Sequence, residues 1–123
     1  MIKVGVYELC GTNAELFLDP SGLGGRSEPC PNAKDRPRVV IGGAHKEWWR
    51  ILDVLIHEVF EYAMTLYGFA FSPVTSVNGG SDVRTFVMTH SEFTRVNEDA
   101  AYFVAKCQND LCRAWKAAKK GRV

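Results

Sequence analysis

A chain of 123 residues, 46% hydrophobic and 24% charged, with a net charge of +1, is sized and composed for one domain with a core of its own. So small a charge offers no basic face to a phosphate backbone, which argues against nucleic acid as a partner. No apolar run approaches the roughly 20 residues of a membrane span, and the N-terminal MIKVGVYELC lacks the apolar stretch of a secretory signal. A cytoplasmic protein is expected, with no membrane partner. In that reducing setting Cys10, Cys30, Cys107 and Cys112 read as free thiols, and none has the Cys-x-x-Cys spacing of a zinc ribbon.

In chain order, IKVGVYEL at 2–9 alternates apolar and polar residues as a strand does, and AELFLD at 14–19 is its partner across a Gly11-Thr12-Asn13 turn. Residues 20–37 are rich in proline and glycine and read as a long irregular loop. RVVIGG at 38–43 is a short β-branched strand ending at a glycine pair. A long helix is expected from about Lys46 to Tyr67, stopped by Gly68. Two short strands follow around Asn78-Gly79-Gly80. A second long helix runs from about His90 to Lys119, with Thr89 and Glu92 spaced for a capping box. Its apolar face reads as Phe93, Val96, Ala100, Val104, Cys107 and Leu111.

The central helix carries the chemistry. Trp48, Leu52, Leu55, Val59, Ala63 and Leu66 share one side on a helical wheel, which is the expected core face. His57 and Glu61 lie together on the other, about 6 Å apart along the axis. Val54, Phe60 and Met64 flank that pair, and a helix apolar almost all round is normally buried on both sides. A buried carboxylate needs a partner, and a divalent metal is one. The i, i+4 spacing lets both side chains grip a single ion. Glu58, rotated aside, is in position to take a proton from metal-bound water, the mechanical basis of the H-E-x-x-H pattern. The alternative is an ordinary helix, with the imidazole satisfied in the core and both glutamates in water.

An open zinc site takes three protein ligands. His45 opens the central helix, roughly 18 Å along the axis from His57, and is read as an exposed helix-terminal residue. His90, opening the second helix, can face the His57/Glu61 stripe if the two helices pack together. Glu98 and Asp99 are its rivals and rank behind it.

RVVIGG, then ILDVLIHEVFEYA, then MTHSEF at the start of another helix together resemble a small zincin-type metallopeptidase domain. The chain looks closest to small zincin-like proteins of phages and prophages that carry H-E-x-x-E in place of H-E-x-x-H. The resemblance covers roughly residues 38–108. It implies an α+β fold, a minimal zincin-like domain with a small twisted β-sheet packed on two long helices. It also implies His57, Glu61 and His90 as metal ligands and Glu58 as general base. Zinc is the expected ion; the carboxylate of Glu61 hardens the ligand set and so brings in iron and manganese behind it.

Two functions follow as expectations. One is a zinc-dependent hydrolase of metallopeptidase type, in which the strand at 38–42 aligns an extended peptide or protein substrate by strand addition. The other is a non-catalytic metal-binding protein that docks on a host protein, with Trp48 and Trp49 available as interface anchors. In either case the setting is the cytoplasm of a bacterial or phage-infected cell.

Overall fold

A computed structural model describes residues 1–28, 36–68, 70–71, 85–86 and 88–121. The expected α+β architecture is present. Strands β1 (Ile2–Leu9), β2 (Thr12–Asp19), β3 (Gly25–Glu28) and β4 (Arg38–Gly42) form one sheet in the order β1-β2-β4-β3. Helices α1 (Trp48–Leu66) and α2 (His90–Lys120) cover one face of it. A second pair, β5 (Ala70–Phe71) and β6 (Thr85–Phe86), is antiparallel and lies between the helices in sequence. The Asn78-Gly79-Gly80 turn expected there lies outside the described residues, as does Cys30.

The β1–β2 hairpin turns at Cys10-Gly11 rather than at 11–13. Leu9 pairs with Thr12, and Cys10 and Gly11 have φ of 53° and 78°. Two successive positive φ values give the primed turn whose twist suits a two-residue hairpin. On β2, Ala14, Leu16 and Leu18 are fully buried, and they alternate with half-buried Glu15, Phe17 and Asp19, as expected of a sheet with one covered face.

The loop expected over 20–37 contains a strand. β3 runs antiparallel to β4, Gly25 opposite Ile41 and Glu28 opposite Arg38. β4 is therefore an interior strand, parallel to β2 on its other side. Both of its edges are occupied, so the strand at 38–42 cannot take up a substrate strand. The two ends of the sheet are held by β1 and β3.

The helices are antiparallel to one another. Trp48 at the start of α1 stacks on Trp115 of α2, ring centres 5.8 Å apart. At the other end, the Tyr67 hydroxyl donates to Asp99, and the Arg95 guanidinium lies over the Tyr67 ring at 4.4 Å. The C-terminal end of α2 is tied to the chain before α1: Trp115 Nε1 donates to the His45 carbonyl at 3.3 Å, and Lys119 Nζ to that of Lys46 at 3.0 Å. α2 begins with the expected capping box between Thr89 and Glu92, and Gly68 ends α1.

α1 is rotated from the face expected, whereas the expected Val96, Ala100, Cys107 and Leu111 of α2 are buried. The buried residues of α1 are Ile51, Leu55, Glu58, Val59, Tyr62 and Ala63, whereas Leu52 is only partly buried and Leu66 is exposed. Those of α2 are Val96, Ala100, Phe103, Cys107, Leu111 and Trp115. Phe93 is exposed and Val104 half-buried. Trp48 is partly buried and packs against the core, whereas Trp49 stands out in solvent.

The free thiols make the core sensitive to alkali. Burial pushes the Cys107 thiol from 9.0 up to about 12, and the Cys10 thiol from 9.0 up to about 11. Both values rise on folding, so the folded chain holds these protons more tightly than the unfolded one. The stability they contribute is complete below pH 9 and is lost as the pH climbs through about 11 and 12. Denaturation midpoints measured from pH 8 to 11 are expected to fall, and to fall less steeply in Cys107→Ala. Equal slopes in the two proteins would remove Cys107 from this account.

Candidate metal centre on helix α1

His57, Glu58 and Glu61 offer ligand atoms that all lie within 4.8 Å of one another. One helical turn sets the pair: His57 Nε2 is 3.1 Å from Glu61 Oε2. The contact is on the outward side of α1, where the His57 side chain is 68% exposed and that of Glu61 30%. This is the pairing expected from the i, i+4 spacing. The expectation that this side of the helix is buried does not hold for His57.

Glu58 approaches the pair from the buried side of the helix. A step of one residue turns it about 100° away from His57, into the seam between α1 and β3, where it is 8% exposed. Gly25 makes room for it. A Cβ at Gly25 would lie 2.7 Å from Glu58 Cγ, 2.9 Å from Val54 Cγ1 and 2.9 Å from the Val40 carbonyl oxygen. No side chain fits there without displacing the carboxylate stem. Burial, and then the negative charge of Glu61, raise the proton affinity of Glu58, while His57 opposes that rise. The carboxyl group thus sits beside a solvent-facing imidazole, under the end strand of the sheet, and binds a proton more readily than an ordinary glutamate.

His90 does not join this group. The contacts at Trp48–Trp115 and Tyr67–Asp99 fix how far the antiparallel helices slide past one another. Tyr67, which meets Arg95 and Asp99, is about 15 Å along α1 from His57, and His90 is another 7 Å or so beyond Arg95 in the same direction. His90 is therefore on the order of 20 Å from His57. It is exposed at the first turn of α2, where its carbonyl accepts from Thr94 Oγ1. The rivals are no nearer. Asp99 is engaged by Tyr67, and Glu98 and Asp99 line a cavity of about 400 Å³ with Glu8, Cys10, Gly11 and Tyr102 at that far end. His45 is partly buried rather than exposed, and its Nε2 donates to the Leu23 carbonyl at 2.6 Å.

Among the described residues, then, the metal-type donors that converge are exposed His57, half-buried Glu61 and buried Glu58. Sequence reasoning missed Gly25 and the strand that carries it. The only available signal was the run of glycines before Arg26, which marks close backbone approach as readily as a loop.

Comparison with known proteins gave no matching family model, no similar curated protein and no similar solved structure. No helix among the described residues is long and apolar enough to cross a membrane.

Proposed function

We propose that this chain is a divalent-metal protein of the metallohydrolase type, acting on an extended peptide or protein segment. The observation that carries the reading is the His57–Glu61 contact of 3.1 Å with the Glu58 carboxyl beside it. His57 Nε2 and a Glu61 oxygen would hold the ion, with zinc the best match to one imidazole and one carboxylate. When bound, the ion would supply Lewis acidity toward a substrate carbonyl and toward water. Glu58 would receive the proton given up by that water, and its raised proton affinity suits a proton acceptor. β3 runs directly over this carboxyl group, and an extended segment lying along it would pass the site. The order of RVVIGG, HEVFE and MTHSEF supports the same kinship with small zincin-like proteins of phages, without His90 as a ligand.

A second reading is a non-catalytic metal protein that docks on a host protein. It is favoured by the apolar side chains on the outward side of α1, where Trp49 is 54% and Ile56 40% exposed, because aromatic residues anchor interfaces.

Glu58→Gln separates the two. The amide keeps the shape and leaves the ion's two donors in place, so zinc binding should be unchanged. Hydrolysis of an unfolded protein substrate should fall by about 100-fold or more. The variant should also melt at a higher temperature than wild type without metal, since it no longer buries a carboxylate. Loss of zinc binding would make Glu58 a ligand rather than a base. Undiminished hydrolysis would remove it from the chemistry.

A further inference from the structure

We propose that the cleft between the turn at 19–25 and β4 binds a compact zwitterion of the free α-amino acid class, with Asp19 taking its ammonium group and Arg26 its carboxylate. The inference is independent of the metal reading.

The cleft lies on the face of the sheet away from the helices. Val39 and Ile41 belong to the core, so Val40 and Arg26, paired across β3 and β4, point to the other face. Asp19 follows buried Leu16 and Leu18 on β2 and turns outward with them. Asp19, Arg26 and Val40 line one cavity of about 260 Å³, walled otherwise by glycines. That is below the roughly 300–1,000 Å³ of pockets for drug-sized molecules, so the occupant is small. The wall is fixed by backbone contacts. Gly42 N–H donates to the Gly24 carbonyl at 2.6 Å, and Ala44 N–H to that of Gly22 at 2.9 Å. A Cβ at Gly42 would meet the Gly24 carbonyl and lie 2.6 Å from the Gly22 one, so the turn seats there only on a glycine.

Each charge is held by its own chain on one side and open to the cleft on the other. Asp19 Oδ1 accepts from the Ser21 N–H at 3.2 Å and the Ser21 hydroxyl at 3.0 Å. These bonds hold the carboxyl below the usual carboxylate range, so it is charged at neutral pH. Its Oδ2 takes no part in them. Arg26 spends Nε on Glu28 at 3.0 Å, and its Nη2 meets only the weak acceptor Met1 Sδ at 3.7 Å. The Nη edge is the fork that grips a carboxylate with two parallel bonds. Asp19 and Arg26 are near enough to feel one another's charge, yet they form no ion pair together among the described residues. A ligand carrying both charges a few bonds apart satisfies both groups at once, and positioning by Ser21 and Glu28 lowers the cost of ordering them.

The test is a titration of the full nitrogen-15-labelled chain with L-alanine, read from the amide signals of Gly22, Gly24 and Gly25. Saturable shifts with a millimolar Kd are expected of so few atoms. N-acetyl-L-alanine, which lacks the ammonium, and L-alaninamide, which lacks the carboxylate, should each bind about tenfold or more weaker. Asp19→Asn and Arg26→Ala should weaken alanine by a similar factor. Arg26 is exposed, so its variant decides the matter if the spectrum of Asp19→Asn shows a disturbed turn. The absence of saturable shifts with alanine would overturn the proposal. So would an acetylated or amidated alanine that binds as tightly as alanine itself, or alanine binding undiminished in Arg26→Ala.

Discussion

Phe103→Ala is expected to lower stability by about 3–5 kcal/mol, the largest effect of any single substitution considered for this chain. Phe103 is fully buried at the middle of α2. Its ring meets Tyr7 of β1 edge-to-face, with centres 6.0 Å apart at 82°. Tyr7 is itself fixed, its hydroxyl donating to Asp110 on α2 at 2.6 Å. Removing the ring leaves a cavity walled by a tethered tyrosine and the sheet, which has little freedom to collapse into it. A domain of this size holds about 5–15 kcal/mol in total, so the variant sits near the limit of folding. Phe93→Ala, at an exposed ring on the same helix, should cost no more than about 0.5 kcal/mol. Urea titrations of the two variants check the packing of α2. If Phe93 proved the costly residue and Phe103 the cheap one, the burial of α2 described here would be wrong.

The second large effect falls on the metal. Glu61→Ala deletes one of the two donors proposed to hold the ion and should weaken zinc binding by about 100-fold or more, above the range for losing a residue that merely supports a ligand. Glu61→His is expected to behave oppositely. An imidazole at the same helical position reaches the same ion, so binding should persist, and the charge of the site rises by one. Zinc calorimetry on both variants reads the difference. A destabilised Glu61→His protein that zinc does not rescue would assign Glu61 to an ion pair of the fold. Breaking such a pair where it is buried costs about 3–5 kcal/mol.

How much of this was legible in the sequence differs from element to element. α2 carries its own start signal in Thr89 and Glu92 and its own periodicity, and it lies where expected to within a residue. α1 was equally legible as a helix, but its buried face was not. Apolar residues surround the helix, so a wheel drawn through Leu52 and Leu66 looks as good as one drawn through Ile51 and Tyr62. Only the packing against β3 and α2 selects the second. That selection is what buries Glu58 while leaving His57 in water. β3 could not be seen at all. Gly25-Arg26-Ser27-Glu28 has no β-branched or aromatic residue, and its pairing is imposed by β4, across the sheet. The i, i+4 pair of His57 and Glu61 needed only helix geometry and was readable. The position of His90 needed the slide of one helix along the other. Trp48–Trp115 and Tyr67–Asp99 determine that slide, and neither contact is encoded in the local pattern around MTHSEF.

The central claim is that metal is held by the His57/Glu61 pair without His90. Elemental analysis of untagged wild type, His57→Ala and His90→Ala, each dialysed against zinc and then buffer, tests it most directly. Wild type and His90→Ala are expected to retain the same zinc content, and His57→Ala to retain none. Zinc retained in full by His57→Ala, or lost from His90→Ala, would contradict the site described.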